Sequence, residues 1–145
     1  NVDWRPARHY PPSMTEFRCL PDHLRPLADK FYRSQRSAMR TRAAHQVWVA
    51  ERAQIIAALC LQPVAHGQWL TSLLVDAEQR HQGVASALIE RALQAIDTPV
   101  WLFCHPDLQP FYQRQGFEPC DQPPDALAER LRRYKMKKTL NVMAR

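Results

Sequence analysis

The hydrophobic pattern of this chain changes period in its middle. Residues 69–75 form a short apolar run, of a length typical of a buried strand. After the polar stretch 76–82, apolar residues recur with the spacing of one helix face, at Ala85, Leu88, Ile89, Ala92, Leu93 and Ile96. The pattern therefore predicts a strand, a turn and an amphipathic helix in succession.

The remaining patterns predict more strands and helices. Strand-like runs lie at residues 15–20, 46–52, 54–62, 100–104, 117–120 and 139–144. Helices are predicted over residues 22–31, 106–115 and 125–135, with Asp22 as an N-cap. Residues 46–52 and 54–62 predict a hairpin. The run 100–104 is typical of a strand covered on both faces, so residues 69–104 predict a right-handed parallel crossover.

The junction before the central helix is a candidate anion site. A helix start presents unpaired N–H groups and the positive end of the helix dipole, which suits a phosphate. Gly83, one of three glycines in the chain, lets the backbone approach an anion closely because it has no side chain. The alternative is an ordinary strand-turn-helix connection, since single glycines before helices are common.

Two motifs resemble those of the GNAT N-acetyltransferase superfamily. Arg80-x-x-Gly83-x-Ala85 follows a run ending in Leu-Leu-Val, and it is similar to the acetyl-CoA motif Q/R-x-x-G-x-G/A. Residues 105–119, HPDLQPFYQRQGFEP, are similar to the later N-x-x-A-x-x-F-Y-x-x-x-G-F segment. The resemblance implies an α/β fold with a central mixed, largely antiparallel sheet of about six to seven strands. Helices flank this sheet, and one parallel strand pair is splayed.

The resemblance also implies how acetyl-CoA binds as the cosubstrate. Its pantetheine arm is expected to pair with backbone groups of Leu73, Leu74 and Val75. Arg80 lends charge to the pyrophosphate, and His105 stands where the family has an asparagine that bonds the pantetheine. A histidine can donate the same bond. The pyrophosphate is expected to take main-chain amides from His81, Gln82, Gly83, Val84, Ala85 and Ser86.

The same resemblance suggests the chemistry of transfer. Tyr112 matches the tyrosine that protonates the departing CoA thiolate in many members, although it can also be a packing residue. Direct attack by an amine needs no covalent enzyme intermediate. Many members carry a basic glutamate on the central strand, but Thr71 and Ser72 stand in that region here. The candidate bases are therefore Glu51, His66 or a chain of waters that ends at one of them.

The acceptor region is the least specific part of the sequence. In the family, the segment between the first two strands lines the acceptor groove. Arg36 and Arg40 lie there and fall one turn apart if the segment is helical. These arginines are candidate substrate residues for an acceptor that bears a carboxylate. The alternative is a solvated helix face.

Composition places broad limits on the class of protein. The 145 residues are 46% hydrophobic and 23% charged, as in ordinary globular proteins. No apolar run approaches the roughly 20 residues that a membrane helix needs, so a cytoplasmic location is expected. The net charge of +6 is spread along most of the chain, which makes nucleic acid an unlikely partner. We expect one domain over residues 14–145 and a leader or expression-derived extension over residues 1–13.

Cysteine and histidine spacing argues against metal sites. No C-x-x-C or H-x-x-x-H pattern is present, so no metal is expected. The cysteines are expected to be reduced core residues, at Cys19, Cys60, Cys104 and Cys120.

Three functions are open at this point. The first is an N-acetyltransferase that moves an acetyl group from acetyl-CoA to a primary amine of a small molecule or peptide within a ternary complex. The second is a non-catalytic acyl-CoA-binding or regulatory module, motivated by the absent carboxylate and by His105. The third is a basic nucleic-acid-binding protein. A homodimer is compatible with each of them.

Overall fold

Seven strands form one sheet in the computed structural model, which describes residues 14–135 and 139–145. The sheet order is β1-β2-β3-β4-β5-β7-β6, and β4 and β5 pair in parallel. The predicted mixed sheet with a parallel pair is therefore confirmed. The predicted leader, residues 1–13, lies outside the described residues. The strands are β1 (Glu16–Cys19), β2 (Gln46–Glu51), β3 (Ile55–Val64), β4 (Gly67–Val75), β5 (Val100–Cys104), β6 (Glu118–Pro119) and β7 (Asn141–Ala144).

Within residues 14–135 and 139–145, four α-helices accompany the sheet, and three short 3-10 turns precede helices or lead toward them. The central helix buries Leu88, Ile89, Ala92 and Leu93, which confirms the predicted apolar face. It ends at Leu93, three residues before the predicted end at Ile96. The helices are α1 (Arg25–Ser34), α2 (Val84–Leu93), α3 (Gln109–Arg114) and α4 (Asp125–Lys135), and the 3-10 turns are Asp22–Leu24, Ala77–Gln79 and Pro106–Leu108.

One prediction about the first helical region is wrong, and the helix on which the stacking of two arginines depended does not reach them. Asp22 lies inside a 3-10 turn, and its carboxylate pairs with Arg25 at 3.3 Å instead of capping α1. The helix ends at Ser34, and Arg36 has a φ of +58°. A right-handed helix cannot continue through a left-handed residue. Arg36 and Arg40 therefore do not stack one turn apart on a helix.

Contacts divide the described residues into two units, of which the first contains the residues up to Cys60 and Ser72–Gln94. Strands β1 and β2 pair antiparallel in it. Its core includes Phe31 and Tyr32 of α1, which pack against Val47 and Val49 of β2. Arg25 donates hydrogen bonds of 2.6 Å to the carbonyls of Ala44 and His45. Asp29 accepts from the amide and hydroxyl of Thr41, so side chains of α1 hold the long loop that follows it.

The second unit contains Leu61–Thr71 and Ala95–Arg145. In it Gln68 and Trp69 of β4 pair with Val100 and Trp101 of β5. Trp69, Trp101, Leu127 and Val142 form its apolar cluster, to which α4 contributes the buried Leu127. Gly67 sits against this strand pair, where an added Cβ would lie 2.2 Å from the Pro99 carbonyl oxygen.

The cysteines are all free, as predicted, but not all are buried. Cys60 and Cys104 are core residues, and Cys120 is half-buried. Cys19 is exposed, so its assignment to the core is wrong: β1 lies at the edge of the sheet, and of its four residues only Phe17 is partly covered. Over residues 14–135 and 139–145, none of the helices has the length and apolar character needed to cross a bilayer.

Candidate functional site

The last part of β4 is shaped by a left-handed residue. Ser72 has a φ of +58°, which interrupts the regular alternation of the strand and costs an L-residue roughly 1–2 kcal/mol. The hydroxyl of Tyr32 donates a 2.7 Å hydrogen bond to the Ser72 carbonyl. Burial above all, and then the Cys60 thiol, raises the pKa of Tyr32 far above its usual value, so this donor stays protonated. The predicted pantetheine-binding residues Leu73, Leu74 and Val75 follow directly and are half-buried.

The loop after β4 is held by several polar contacts. The Asp76 amide donates to the Ile56 carbonyl at 2.7 Å, and the Asp76 carboxylate accepts from the Glu78 amide at 3.0 Å. The Ala77 amide donates to the Gln35 side chain at 3.2 Å. Arg80 is exposed, and its Nε donates to the Val75 carbonyl at 3.4 Å. The side chain of Arg80 therefore lies beside the end of β4.

The start of α2 leaves several main-chain amides without an acceptor in the helix. The first hydrogen bond of the helix runs from the Ala87 amide to the Gly83 carbonyl at 3.1 Å. The amides of Val84, Ala85 and Ser86 precede it and have no acceptor within the helix. A Cβ added to Gly83 would meet no atom within 4 Å, so the space in front of this residue is open.

Gly83 has a second reason to be glycine, which the sequence does not reveal. Its φ is +77°, a conformation that a residue with a Cβ adopts only at a cost. His81, two residues earlier, has a φ of +64° despite its side chain. His81 and Gln82 are exposed, as Gly83 is. Two left-handed residues thus turn the backbone into α2.

Arg52 is a residue of this region that sequence reasoning missed. It lies at the tip of the β2–β3 hairpin, and its Nη1 donates to the side-chain oxygens of Gln79 at 2.7 Å and Gln82 at 3.0 Å. Its Nε donates to the Thr15 hydroxyl at 2.8 Å. Because Gln79 and Gln82 lie 27 and 30 residues away, no local pattern could indicate these contacts.

Tyr112 lies in α3 and is buried, with its ring packed against two phenylalanine rings. The residue is 7% exposed, and its ring makes edge contacts with Phe111 at 4.9 Å and Phe117 at 5.9 Å between centroids. Among the residues that the structure describes, none hydrogen-bonds to the hydroxyl. Burial, and to a smaller degree the Cys104 thiol, raises the pKa of Tyr112 to about 12. The side chain is therefore a neutral hydrogen-bond donor near neutral pH.

His105 follows β5 and caps the next turn. Its Nδ1 accepts a 3.1 Å hydrogen bond from the Asp107 amide, as an asparagine oxygen does at an N-cap. The Asp107 carboxylate also lies 3.6 Å from Nδ1, but a nitrogen that accepts a hydrogen bond cannot carry the proton of an ion pair. Because Nδ1 accepts the capping bond, the ring is neutral and carries its proton on Nε2. Nε2 can therefore donate a hydrogen bond to a ligand.

The two candidate bases occupy different places. Glu51 pairs with Arg18 through Oε1 and Nε at 2.6 Å. It also lines a cavity of about 380 Å³, together with Lys30 and Asp76. His66 is exposed just before the first residue of β4, with its ring edge-on to Trp101 at 5.3 Å. Leu73, Leu74 and Val75 are the last residues of the strand that begins after His66.

The predicted acceptor residues are exposed and separate from that cavity. Arg36 and Arg40 both face solvent, and Arg40 donates to the carbonyls of Ala38 at 3.2 Å and Met39 at 3.4 Å. Neither side chain lines the cavity beside Glu51. Within the described ranges, no group of three or more His, Cys, Asp or Glu residues is arranged to hold a metal ion.

Comparison with known families identifies one match. A family model described as an acetyltransferase (GNAT) domain matches residues 43–119, a little over half of the chain. These residues include the end of β4, the loop after it, α2 and Tyr112. Among curated proteins, none matches the chain by sequence.

Several solved structures share the fold at low identity. N-acetylglutamate synthase from Neisseria gonorrhoeae, complexed with coenzyme A and N-acetyl-glutamate, has a TM-score of 0.68 and 13% identity. The match covers 90% of this chain but only 34% of the synthase. An acyl-CoA N-acyltransferase from Pseudomonas aeruginosa has a TM-score of 0.62 and 22% identity, with 90% and 99% covered. Escherichia coli ElaA has a TM-score of 0.62 and 18% identity, with 91% and 99% covered.

Proposed function

This chain belongs to the GNAT acetyltransferase family, and from that premise we propose that it transfers an acetyl group from acetyl-CoA to a primary amine. The amine belongs to a small molecule or a peptide. The observation that carries the proposal is the start of α2, where the amides of Val84, Ala85 and Ser86 have no helical acceptor and the space at Gly83 is open. Such a helix start binds phosphate groups.

The described residues fit acetyl-CoA as a substrate. Unpaired amides and the nearby Arg80 guanidinium complement the negative charge of a pyrophosphate. Backbone groups of Leu73, Leu74 and Val75 are assigned to the pantetheine arm. The protonated Nε2 of His105 is a suitable donor to an amide carbonyl of that arm, which fits its place in the family motif.

The reaction joins the amine nitrogen to the acetyl carbon and breaks the bond between that carbon and sulfur. Negative charge develops on the carbonyl oxygen, and fixed main-chain amides at the end of β4 are suited to stabilise it. The sulfur departs as a thiolate, which accepts a hydrogen bond from Tyr112. Full proton transfer from a phenol of pKa about 12 to a thiolate of pKa about 8.5 is uphill by about 3 to 4 units, or about 5 kcal/mol. Tyr112 therefore acts chiefly by hydrogen bonding.

Water is the proposed acceptor of the amine proton. An ammonium group must lose a proton before its nitrogen can attack. The Glu51 carboxylate is held by Arg18 at 2.6 Å, and His66 precedes the beginning of β4. We therefore assign neither side chain as the base. A chain of waters can accept the proton without a carboxylate dedicated to that role.

The proposal is tested with ligand binding and turnover. We expect acetyl-CoA to raise the melting temperature, because a ligand that binds only the folded state stabilises it by mass action. A panel of primary amines is then assayed for release of free CoA thiol. If the protein instead binds nucleic acid, acetyl-CoA is not expected to raise the melting temperature. An unchanged melting temperature would refute acyl-CoA binding.

A non-catalytic acyl-CoA-binding module is the second candidate, because Thr71 and Ser72 stand where many members have a glutamate. It predicts stabilisation by acetyl-CoA without amine-dependent thiol release. Amine-dependent thiol release by the wild-type protein would exclude this module, and Tyr112→Phe tests separately whether the Tyr112 hydroxyl contributes to the release.

A further inference from the structure

We propose that Arg52 is a positioning residue that holds the phosphate-binding loop in its ligand-ready conformation. This role rests on the proposed function, since it assigns the loop to the pyrophosphate of acetyl-CoA. It adds a residue that lies outside both sequence motifs, on a hairpin tip between β2 and β3.

The contacts of Arg52 join three segments of the chain. One nitrogen, Nη1, donates to Gln79 at 2.7 Å and to Gln82 at 3.0 Å. Nε donates to Thr15 at 2.8 Å, and the Arg52 amide donates to the Gln54 carbonyl at 3.0 Å. The guanidinium group is planar and presents its donors in a fixed fork. It therefore transmits the rigid position of the hairpin to the loop.

The loop needs such support because its backbone is strained. His81 adopts a φ of +64° with a full side chain, and a left-handed residue of this kind costs roughly 1–2 kcal/mol. Strained residues persist only where the surroundings over-determine them. Gln79 and Gln82 lie on either side of His81 along the chain, and one arginine holds both side chains.

The functional consequence is preorganisation. The left-handed residues His81 and Gly83 set the directions of the amides that enter α2. If the loop were free, phosphate binding would have to order it, and affinity would fall by that cost. Arg52 thus acts through Gln79 and Gln82, without contacting the phosphate itself.

The first test compares Arg52→Lys, which keeps the charge but loses the fork, with Arg18→Lys. Arg18 pairs with Glu51 on β2, and among the described residues no hydrogen bond or ion pair joins it to the loop. We expect coenzyme A affinity, measured by calorimetry, to fall about tenfold in Arg52→Lys and less than about twofold in Arg18→Lys. Hydrogen exchange of the ligand-free protein is expected to become faster at residues 77–84 in Arg52→Lys only.

The second test is a mutant cycle with Gln79→Ala and Gln82→Ala. In the protein that carries both glutamine substitutions, adding Arg52→Lys is expected to change coenzyme A affinity less than about twofold, because the route of its action is already lost. Additive losses would overturn the positioning role in favour of direct phosphate contact. Gln82→Ala alone, at an exposed position, is expected to weaken binding and speed exchange even if Arg52→Lys fails to fold.

The outcomes distinguish a failure of the Arg52 role from a failure of the proposed function. Equal coenzyme A affinity in the wild type and in Arg52→Lys, with unchanged exchange, overturns the role of Arg52 and leaves acetyl-CoA binding intact. A wild-type protein that does not bind coenzyme A overturns the proposed function, and the positioning role with it.

Discussion

The buried hydroxyl of Tyr32 donates a hydrogen bond to the main-chain carbonyl of Ser72, at 2.7 Å. This bond joins helix α1 to a left-handed residue within β4. Leu73, Leu74 and Val75 follow that residue, so the bond supports the backbone to which the pantetheine arm is assigned. The Cys60 thiol lies 3.7 Å from the same hydroxyl, which places the pair inside the core.

Tyr32→Phe is expected to destabilise the fold by about 1 kcal/mol, because it removes a hydrogen bond to the carbonyl of the half-buried Ser72. The free energy of unfolding in urea measures the loss. Tyr134→Phe is the matched control, since Tyr134 is exposed and contributes a ring contact to Phe103. Equal losses in the two variants would contradict the role of the Ser72 hydrogen bond.

Tyr112→Phe is expected to lower kcat by about a hundredfold, within the range typical of losing one hydrogen-bond donor to developing negative charge. KM for acetyl-CoA should change little, because the phenol interacts with the sulfur mainly as negative charge develops on it. Steady-state thiol release with a saturating amine provides both constants. A variant that turns over at the wild-type rate would remove Tyr112 from the reaction.

The same residue predicts a loss of stability in alkali. Burial raises the pKa of Tyr112 to about 12 in the folded state, whereas an unfolded tyrosine titrates near pH 10. Its neutral form is therefore favoured by folding: stability is fully present below about pH 10 and declines until about pH 12, by about 2–3 kcal/mol.

Urea unfolding at about pH 9 and about pH 11 measures this loss, which should be smaller in Tyr112→Phe than in the wild type by about 1 kcal/mol. The comparison must be made between these two proteins, because burial also raises the pKa of Tyr32. An identical alkaline loss in both would show that the Tyr112 ring is not desolvated.

Gly83→Ala separates backbone strain from ligand contact. In the free protein the new methyl group meets no atom within 4 Å, so only the positive φ is penalised, by about 1 kcal/mol. Coenzyme A affinity should fall further, because the methyl group points into the open space proposed for the phosphate. Gly83→Asn is the control for strain, since asparagine tolerates left-handed φ better than alanine. If the free energy of coenzyme A binding falls by no more than the free energy of unfolding, the phosphate lies elsewhere.

Arg36→Ala combined with Arg40→Ala tests the acceptor assignment. KM is expected to rise about tenfold for an amine that bears a carboxylate, because charge-assisted hydrogen bonds are lost. KM for an uncharged amine should be unchanged. Arg33→Ala is a suitable comparison, since Arg33 is also exposed but belongs to α1. A uniform change for both amines would argue against carboxylate recognition.

The features that were predictable from sequence are local in the chain. The apolar spacing of residues 85–93 determined the inner face of α2, and glycine at position 83 marked its start. The segment of Arg36 and Arg40 was left open as helical or not, and it is not helical because tertiary contacts override its helix-compatible composition. Asp29 and Arg25 hold the following loop in an irregular path. Arg52 could not be found at all, since its partners become neighbours only after the sheet has formed.

Gly67 limits how β4 and β5 can align. Its missing side chain leaves room for the Pro99 carbonyl, which an added Cβ would approach to 2.2 Å, and for the Trp101 ring at 2.7 Å. Sliding β4 by one residue along its partner would bring Gln68, or the preceding His66, into that space. Neither side chain fits there, and a one-residue shift also exchanges the faces of the sheet. The two strands can therefore meet in a single alignment, and misregistered forms are excluded by shape before any ligand binds.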